Sequence, residues 1–365
     1  MEQLNFMFIV QGEGRGHMTQ AISAYTILKK AGHNVSCVMI GINPYREIPD
    51  FVKQQLNSEL IAFNCPGFVM DSKVKAVKLI PSVLKNIFQL GIFKKSIQQI
   101  HAKVKEHKPD RIINFYTPLA GIYNYFFHPS VPMTCIAHQY IYLHQEYEFP
   151  KGKILDKLAI KFYTRLTSLG AEKKLALSFY PINDVKTQSI IGFPPLLRKE
   201  VFEQETKQGN YLLVYLVNNG YAEEIINWHK KNMGIELHCF TDRKDMDNRY
   251  DDTLYLHKLD DKKFLRMMSQ CKGFVSTAGF ESICEAKYMG KPVFMVPVEG
   301  NYEQYCNAHD ACKVGTGITG DDFDIDRFLT YLPTHQHNRE EFRKWTDTAE
   351  EKLLEQLTAK VSQPT

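Results

Sequence analysis

Short apolar runs rich in β-branched residues alternate along this chain with longer segments of helical period. NFMFIV (5–10) precedes an amphipathic stretch at Ala21–Ala31, NVSCVMI (34–40) follows, and RIINF (111–115) and MTCIAH (133–138) continue the series. The second half restarts it with NYLLVYLV, IELHCFT, TLYLH, GFVSTAG and KPVFMVP. Such runs are too continuous for strands with one wet face, so they predict parallel sheets covered on both sides by crossover helices. In SIIGFPPLLRKEV (189–201), Pro194 and Pro195 stiffen the chain and remove two backbone donors. The domain boundary is placed there, giving an N-terminal domain over 1–193 and a second domain over 194–337. Asn338 to Leu357 reads as one charged amphipathic helix within a last segment, 338–365, with the first domain as the surface it packs back on.

A chain of 365 residues exceeds the size at which one core usually stops growing, which agrees with two domains. No stretch approaches the ~18 uncharged apolar residues of a membrane span. Leu4 to Val10 already read as a strand, without a basic leader before it, so a cytoplasmic location is expected. The eight cysteines form no CxxC pair and several sit inside apolar runs, which fits reduced core residues. The net charge of +4 conceals an asymmetry: residues 1–195 carry +10 and residues 196–365 carry −6. The basic residues lack the interleaved aromatics of a nucleic-acid module, so nucleic acid is not expected as a partner.

Two stretches carry the candidate chemistry. The first, VQGEGRGHMTQ (10–20), puts Gly12, Gly14, Arg15, Gly16 and His17 between a strand and a helix start. Its third glycine comes too early for a dinucleotide fingerprint, and the next strand brings no acid for a ribose. What remains is a turn that lets backbone approach a ligand, a helix N-terminus that attracts negative charge, and an imidazole suited to proton transfer near neutral pH. A plain structural reading, in which His17 only caps the helix, stands equal at this point.

The second stretch runs from Gly273 to Ile318. After GFVST, Ala278 and Gly279 lead into a helix whose first turn presents Ser282 and free N–H groups, an anion site by geometry. Glu285 lies one turn further, able to reach a ribose diol, with a solvated helix face as its plain alternative. Pro297 then opens a loop carrying Glu299, Glu303, Gln304 and Asn307, a set able to hydrogen-bond several hydroxyls.

Those residues resemble the donor half of the GT-B glycosyltransferases, among them the lipid-II-forming N-acetylglucosaminyltransferases and the plant and animal UDP-glycosyltransferases. The resemblance implies an α/β fold of two Rossmann-like parallel-sheet domains facing a central cleft. It puts Gly279 and Ser282, with Thr277, Ala278 and Phe280 around them, at the diphosphate. It puts Glu285 at the ribose, Glu303 and Gln304 at the donor sugar, and Leu259 where backbone meets the nucleotide base. Asn219 and Gly220 join this donor-side set. His17 falls at the base of the inverting members, with Gly14, Arg15, Gly16 and His138 on the acceptor side. The chain departs from the pattern at Thr277, where many plant enzymes carry histidine, and at Glu281, which brings a carboxylate near phosphate oxygens. RIINFYTPLAG offers no aspartate to orient His17, so that partner is unassigned.

The activity implied is a metal-independent, inverting hexosyl or N-acetylhexosaminyl transfer from a nucleotide diphosphate sugar, UDP being the favoured nucleotide. The acceptor is a hydroxyl, lipid- or envelope-linked or soluble. The sugar nucleotide is a co-substrate, and no cofactor is called for. A sugar-nucleotide epimerase of the same fold and a non-catalytic nucleotide-sugar binding protein are the alternatives. The Asp245/Asp247 and Asp324/Asp326 pairs read as solvated turns rather than metal ligands. Between Gly67 and Lys108 nine lysines face two acids. This is either a solvated crossover helix pair or a surface for an anionic membrane leaflet, the latter placing the protein at the inner face of the cell membrane.

Overall fold

The computed structural model describes residues 2–42, 47–67, 69–70, 77–78, 89–216, 221–241 and 248–359. It divides into two compact units, one of Met1–Val69, Leu79–Arg198 and Trp345–Thr365, the other of Met70–Lys78 and Lys199–Lys344. Asn219, Gly220, Asp245, Asp247 and the lysines at 73, 75 and 85 lie outside the described residues.

The first unit is built on seven parallel strands: β1 (Asn5–Gln11), β2 (Asn34–Ile42), β3 (Glu59–Asn64), β4 (Arg111–Phe115), β5 (Met133–Ala137), β6 (Lys173–Leu177) and β7 (Ile190–Phe193). Their order across the sheet is β3-β2-β1-β4-β5-β6-β7. The central strands β1, β4 and β5 are apolar and buried almost throughout, as strands covered on both faces must be. Helices α1 (Gly16–Lys30), α2 (Leu90–His107), α3 (Pro118–Phe127) and α4 (Ile154–Thr167) connect them. On α2, Phe93, Ser96, Ile100 and Val104 form the buried stripe, while Lys94, Lys95 and Lys105 are exposed. Lys103 on the same helix pairs with Glu59 and Glu106.

The second unit repeats the plan with β8 (Leu212–Leu216), β9 (Leu237–Thr241), β10 (Leu254–Lys258), β11 (Gly273–Ser276), β12 (Val293–Met295) and β13 (Gly317–Thr319), in the order β10-β9-β8-β11-β12-β13. A two-residue segment, Asn248–Arg249, adds an antiparallel edge beside β10. Helices α5 (Ala222–His229), α6 (Asp261–Gln270), α7 (Phe280–Tyr288), α8 (Tyr302–Lys313) and α9 (Ile325–Tyr331) cover it. Phe294, Phe328, Val275 and Ile325 lie at the centre of its core.

β7 closes at Phe193, directly before the two prolines of the boundary stretch. The structure departs from the sequence expectation in one element. The C-terminal segment is two helices, α10 (Arg339–Thr346) and α11 (Ala349–Thr358), not one. Thr348 Oγ1 donates to the Trp345 carbonyl at 2.8 Å, a side-chain bond that competes with the helical ladder at the break. Trp345 Nε1 donates to Ser178 O, and Lys30 pairs with Glu350, so the chain from Trp345 onward packs on the first unit's own sheet and helix α1.

Candidate functional site

In each unit the strand order reverses beside the first strand, and the crevice outside the carboxyl ends there is where open α/β sheets take ligands. In the first unit that point lies between β1 and β4, in register at Val10 and Phe115. In the second it lies between β8 and β11, in register at Tyr215 and Ser276. The two candidate stretches sit at these two places.

The turn after β1 is dictated by close packing. A Cβ on Gly12 would stand 2.7 Å from the Gly41 carbonyl oxygen and 2.7 Å from Ile42 Cγ2, and Gly14 adopts φ +81°. Arg15 lays its guanidinium over the Phe51 ring, 4.0 Å from the centroid, and no side chain caps the start of α1. His17 therefore does not serve as a cap. Its Nδ1 lies 3.4 Å from Gln20 Oε1, an acceptor only, so Nδ1 carries the hydrogen and Nε2 keeps a lone pair. Gln20, one helical turn on, is the partner absent from RIINFYTPLAG.

That stretch contributes something else. Tyr116, directly after β4, stacks on the His17 ring at 5.3 Å and 27°. It does so from φ +64°, a left-handed conformation that costs a bulky residue about 1–3 kcal/mol. Its surroundings hold it there: its hydroxyl meets Thr164 Oγ1 at 2.8 Å, and Tyr140 and Tyr163 pack edge-on against its ring. The next residue is fixed too, since Thr117 N donates to Asn114 Oδ1 and Asn114 Nδ2 to the Thr167 carbonyl. Burial in this aromatic setting lowers the His17 pKa to about 4, and the Gln20 hydrogen bond opposes that only in part. At neutral pH the imidazole is uncharged and able to accept a proton.

His138 is placed differently from its expected acceptor-side position. It opens a short 3-10 turn, is fully buried against Tyr142 and Phe179, and its Nδ1 pairs with the Leu177 carbonyl at 2.7 Å. This is a packing histidine, exposing no surface to an acceptor.

In the second unit, β11 ends at Ser276, and Thr277 and Ala278 are buried beneath the turn into α7. Gly279 is the N-cap of α7 and has φ −78°, a value any residue adopts. A Cβ there would meet only Ser282 Oγ, at 3.7 Å. Among the described residues, therefore, nothing requires glycine at this position and nothing fills the space above the helix start. Thr277 is 1% exposed, and among the described residues its hydroxyl, which lies under this turn, has no hydrogen-bond partner. Asn307 Nδ2 donates to the Ala278 carbonyl at 2.9 Å, which ties α8 to the turn. The expectation that Asn307 meets a sugar is thereby corrected: it is fully buried and positions the loop.

Ser282 turns its hydroxyl back onto the Gly279 carbonyl at 3.2 Å. Phe280 is buried, and Glu285, at 2% exposure, does not lie on a solvated face. Gln304, in the first turn of α8, accepts from Val298 N through Oε1 at 2.8 Å, which turns its NH2 group away from the loop backbone. Glu303 precedes it, half-buried. Leu259 follows β10, between that strand and the Asp260 cap of α6. Because the strands are parallel, Leu259, Thr277–Gly279 and the loop into α8 all leave the same edge of this sheet.

The acid pair at Asp324 and Asp326 is structural: Asp324 caps α9 by accepting from Arg327 N, and Asp326 accepts from Trp228 Nε1. Among the described residues, Cys37, Glu59 and His107 converge closely enough for a metal. Glu59 is already engaged by Lys103 and His107, and burial pushes the Cys37 thiol up to about 12, so the group is an ion-pair cluster. No helix among the described residues is long and apolar enough to cross a membrane.

The model of the family described as glycosyl transferase family 1 matches residues 4–333. No curated protein matches the sequence. Among solved structures, UGT2 of Phytolacca americana, complexed with UDP-2-fluoro-glucose and pterostilbene, is 12% identical over 99% of this chain and 100% of its own, with a TM-score of 0.66. SsfS6 of Streptomyces sp. SF2575, complexed with thymidine diphosphate, is 14% identical over 97% and 100%, with a TM-score of 0.62. MurG of Acinetobacter baumannii is 15% identical over 98% and 100%, with a TM-score of 0.58. At these identities the likeness is one of fold, and the fold is GT-B.

Proposed function

The chain belongs to glycosyl transferase family 1, and on that premise we propose that it moves a sugar from a nucleotide diphosphate to a hydroxyl acceptor with inversion at the anomeric carbon. The observation that carries this reading is the turn at Gly279, where among the described residues nothing requires the glycine, nothing fills the space above the helix start, and the buried Thr277 hydroxyl has no partner. A diphosphate fits such a place, since uncapped helix N–H groups and the helix dipole favour negative charge by about 0.3–2 kcal/mol before direct hydrogen bonds are counted.

In this reading the acceptor oxygen bonds to the anomeric carbon as the bond from that carbon to the diphosphate oxygen breaks. The acceptor proton passes to His17 Nε2, while Gln20 Oε1 keeps Nδ1–H oriented. The departing charge is met by the backbone at Gly279 to Ser282. Glu285 takes the ribose hydroxyls, Glu303 and Gln304 the sugar, and backbone at Leu259 the base. Nothing in this chemistry calls for a metal or a cofactor. UDP is the nucleotide we favour, which the ligand of the Phytolacca enzyme supports; the thymidine diphosphate in SsfS6 makes TDP the comparison to run. The acceptor in this reading is a hydroxyl, on a lipid- or envelope-linked molecule or on a soluble one.

A donor screen by thermal shift tests the reading. A sugar nucleotide at 100 times its Kd stabilises the fold by about 2.7 kcal/mol. A series of UDP and TDP sugars that leaves the melting temperature unmoved contradicts the proposal. Sugar found on a second molecule, rather than isomerised on the nucleotide, separates transfer from epimerisation.

A further inference from the structure

Helix α4 carries the strongest feature that the site does not use. Ile154, Leu155, Leu158 and Phe162 fall on one stripe of this helix and are 71%, 81%, 58% and 68% exposed. Monomeric soluble surfaces seldom leave so many large apolar side chains together on one element. Along the edge of the stripe, at the same helical spacing, run Lys157, Lys161 and Arg165. Lys157 and Lys161 both lie over the Phe149 ring, at 4.7 and 5.7 Å, which gathers them on one side. Lys151 precedes the helix, and Asp156 is the single acid between Lys151 and Gly170. Among the described residues none of Lys157, Lys161 and Arg165 is ion-paired. Among the described residues the helix thus presents apolar surface flanked by the unpaired charges of Lys157, Lys161 and Arg165.

We propose that α4 is an interfacial helix that seats the first unit on an anionic lipid bilayer, its apolar stripe in the headgroup–acyl boundary and its cations on the lipid phosphates. The charge selects this occupant. A second copy of the chain would bring the same cations against themselves, whereas an anionic leaflet complements them. The surface is separate from the lysine-rich stretch at 67–108. It is also joined to the site: the inward face of α4 supplies Thr164 and Tyr163, which hold Tyr116 against His17. A bilayer on one face of this helix therefore lies one helix thickness from the residues that shape the base.

Sedimentation of the full chain with vesicles of phosphatidylcholine, alone or mixed with phosphatidylglycerol, tests the proposal. Binding is expected only with the anionic mixture and falls as salt is raised. The variant Leu155→Gln/Leu158→Gln/Phe162→Gln loses about tenfold or more in partition, and Lys157→Gln/Lys161→Gln/Arg165→Gln loses the preference for anionic lipid. Lys94→Gln/Lys95→Gln binds as the wild type does. Leu155, Leu158, Phe162, Arg165, Lys94 and Lys95 are exposed and Lys157 and Lys161 half-buried, and circular dichroism confirms that each variant is folded. The proposal is overturned if the wild type stays in the supernatant at low salt, if the apolar variant binds undiminished, or if Lys94→Gln/Lys95→Gln abolishes binding. A dimer in solution that the apolar variant converts to monomer also overturns it, since a second copy would then cover the stripe.

Discussion

The turn after β1 and the turn after β11 are the same device, a strand leading through glycine into a helix at the point where strand order reverses, yet they are finished in opposite ways. The first is filled from within. Gly12 is pressed against Gly41 and Ile42, Arg15 lies on Phe51, and His17 is clasped by Gln20 and a strained Tyr116. The second, among the described residues, is left open, with Gly279 facing space and Thr277 holding an unused hydroxyl. A turn crowded by its own protein can fix one side chain within a fraction of an ångström, which is what a base needs. A turn that spends no side chain on its helix start keeps backbone donors for a ligand. The contrast, rather than either glycine motif alone, separates the two roles.

The largest effect should come from removing what the crowded turn holds. His17→Ala should lower kcat by roughly 10²–10⁴ while calorimetric donor affinity stays nearly unchanged. On the open side, Glu285→Ala should weaken free nucleoside diphosphate and sugar nucleotide alike, by about 1–3 kcal/mol. Gln304→Ala should weaken only the sugar nucleotide; equal losses in both ligands would show that it does not face the sugar. Gly12→Ala should destabilise the fold by about 1–3 kcal/mol in denaturant titrations, because a Cβ has no room there.

The smallest effect is a shift in pH dependence. With the His17 pKa lowered to about 4, the acid limb of kcat/KM should lie near that value and the rate should be level through pH 6.5. The sign for stability follows: the unfolded chain takes up this proton below about 6.5 and the folded chain does not, so the contribution is present above 6.5 and is lost as pH falls toward 4. Tyr116→Leu admits water to the ring and should move the acid limb upward.

Much of this was legible in the sequence because it rests on short-range rules. Continuous apolar runs gave the central strands, and the glycine-bearing stretches gave both turns. The misses share a cause, namely tertiary contact between distant segments. β3, ELIAFN, has exposed and half-buried positions and reads weakly as a strand until β2 pairs with it. The resemblance implies a carboxylate on another element as the partner of His17, and the structure supplies an amide on the same helix. Nothing local marks Tyr116 as left-handed, since Thr164, Tyr140 and Tyr163 impose that conformation from other elements. Asn307 looks like a free polar group until α8 packs on the turn at Ala278.

Gly279→Ala puts the central claim to the most direct test, with the melting temperature and the calorimetric affinity for nucleoside diphosphate measured on the same sample. The new methyl group enters open space, and the weaker N-cap and the stiffer unfolded chain oppose one another, so stability should change by less than about 1 kcal/mol. Affinity should fall about tenfold or more, because the methyl group stands where the diphosphate approaches the backbone. A variant that melts as the wild type does and binds nucleoside diphosphate as tightly would contradict the account.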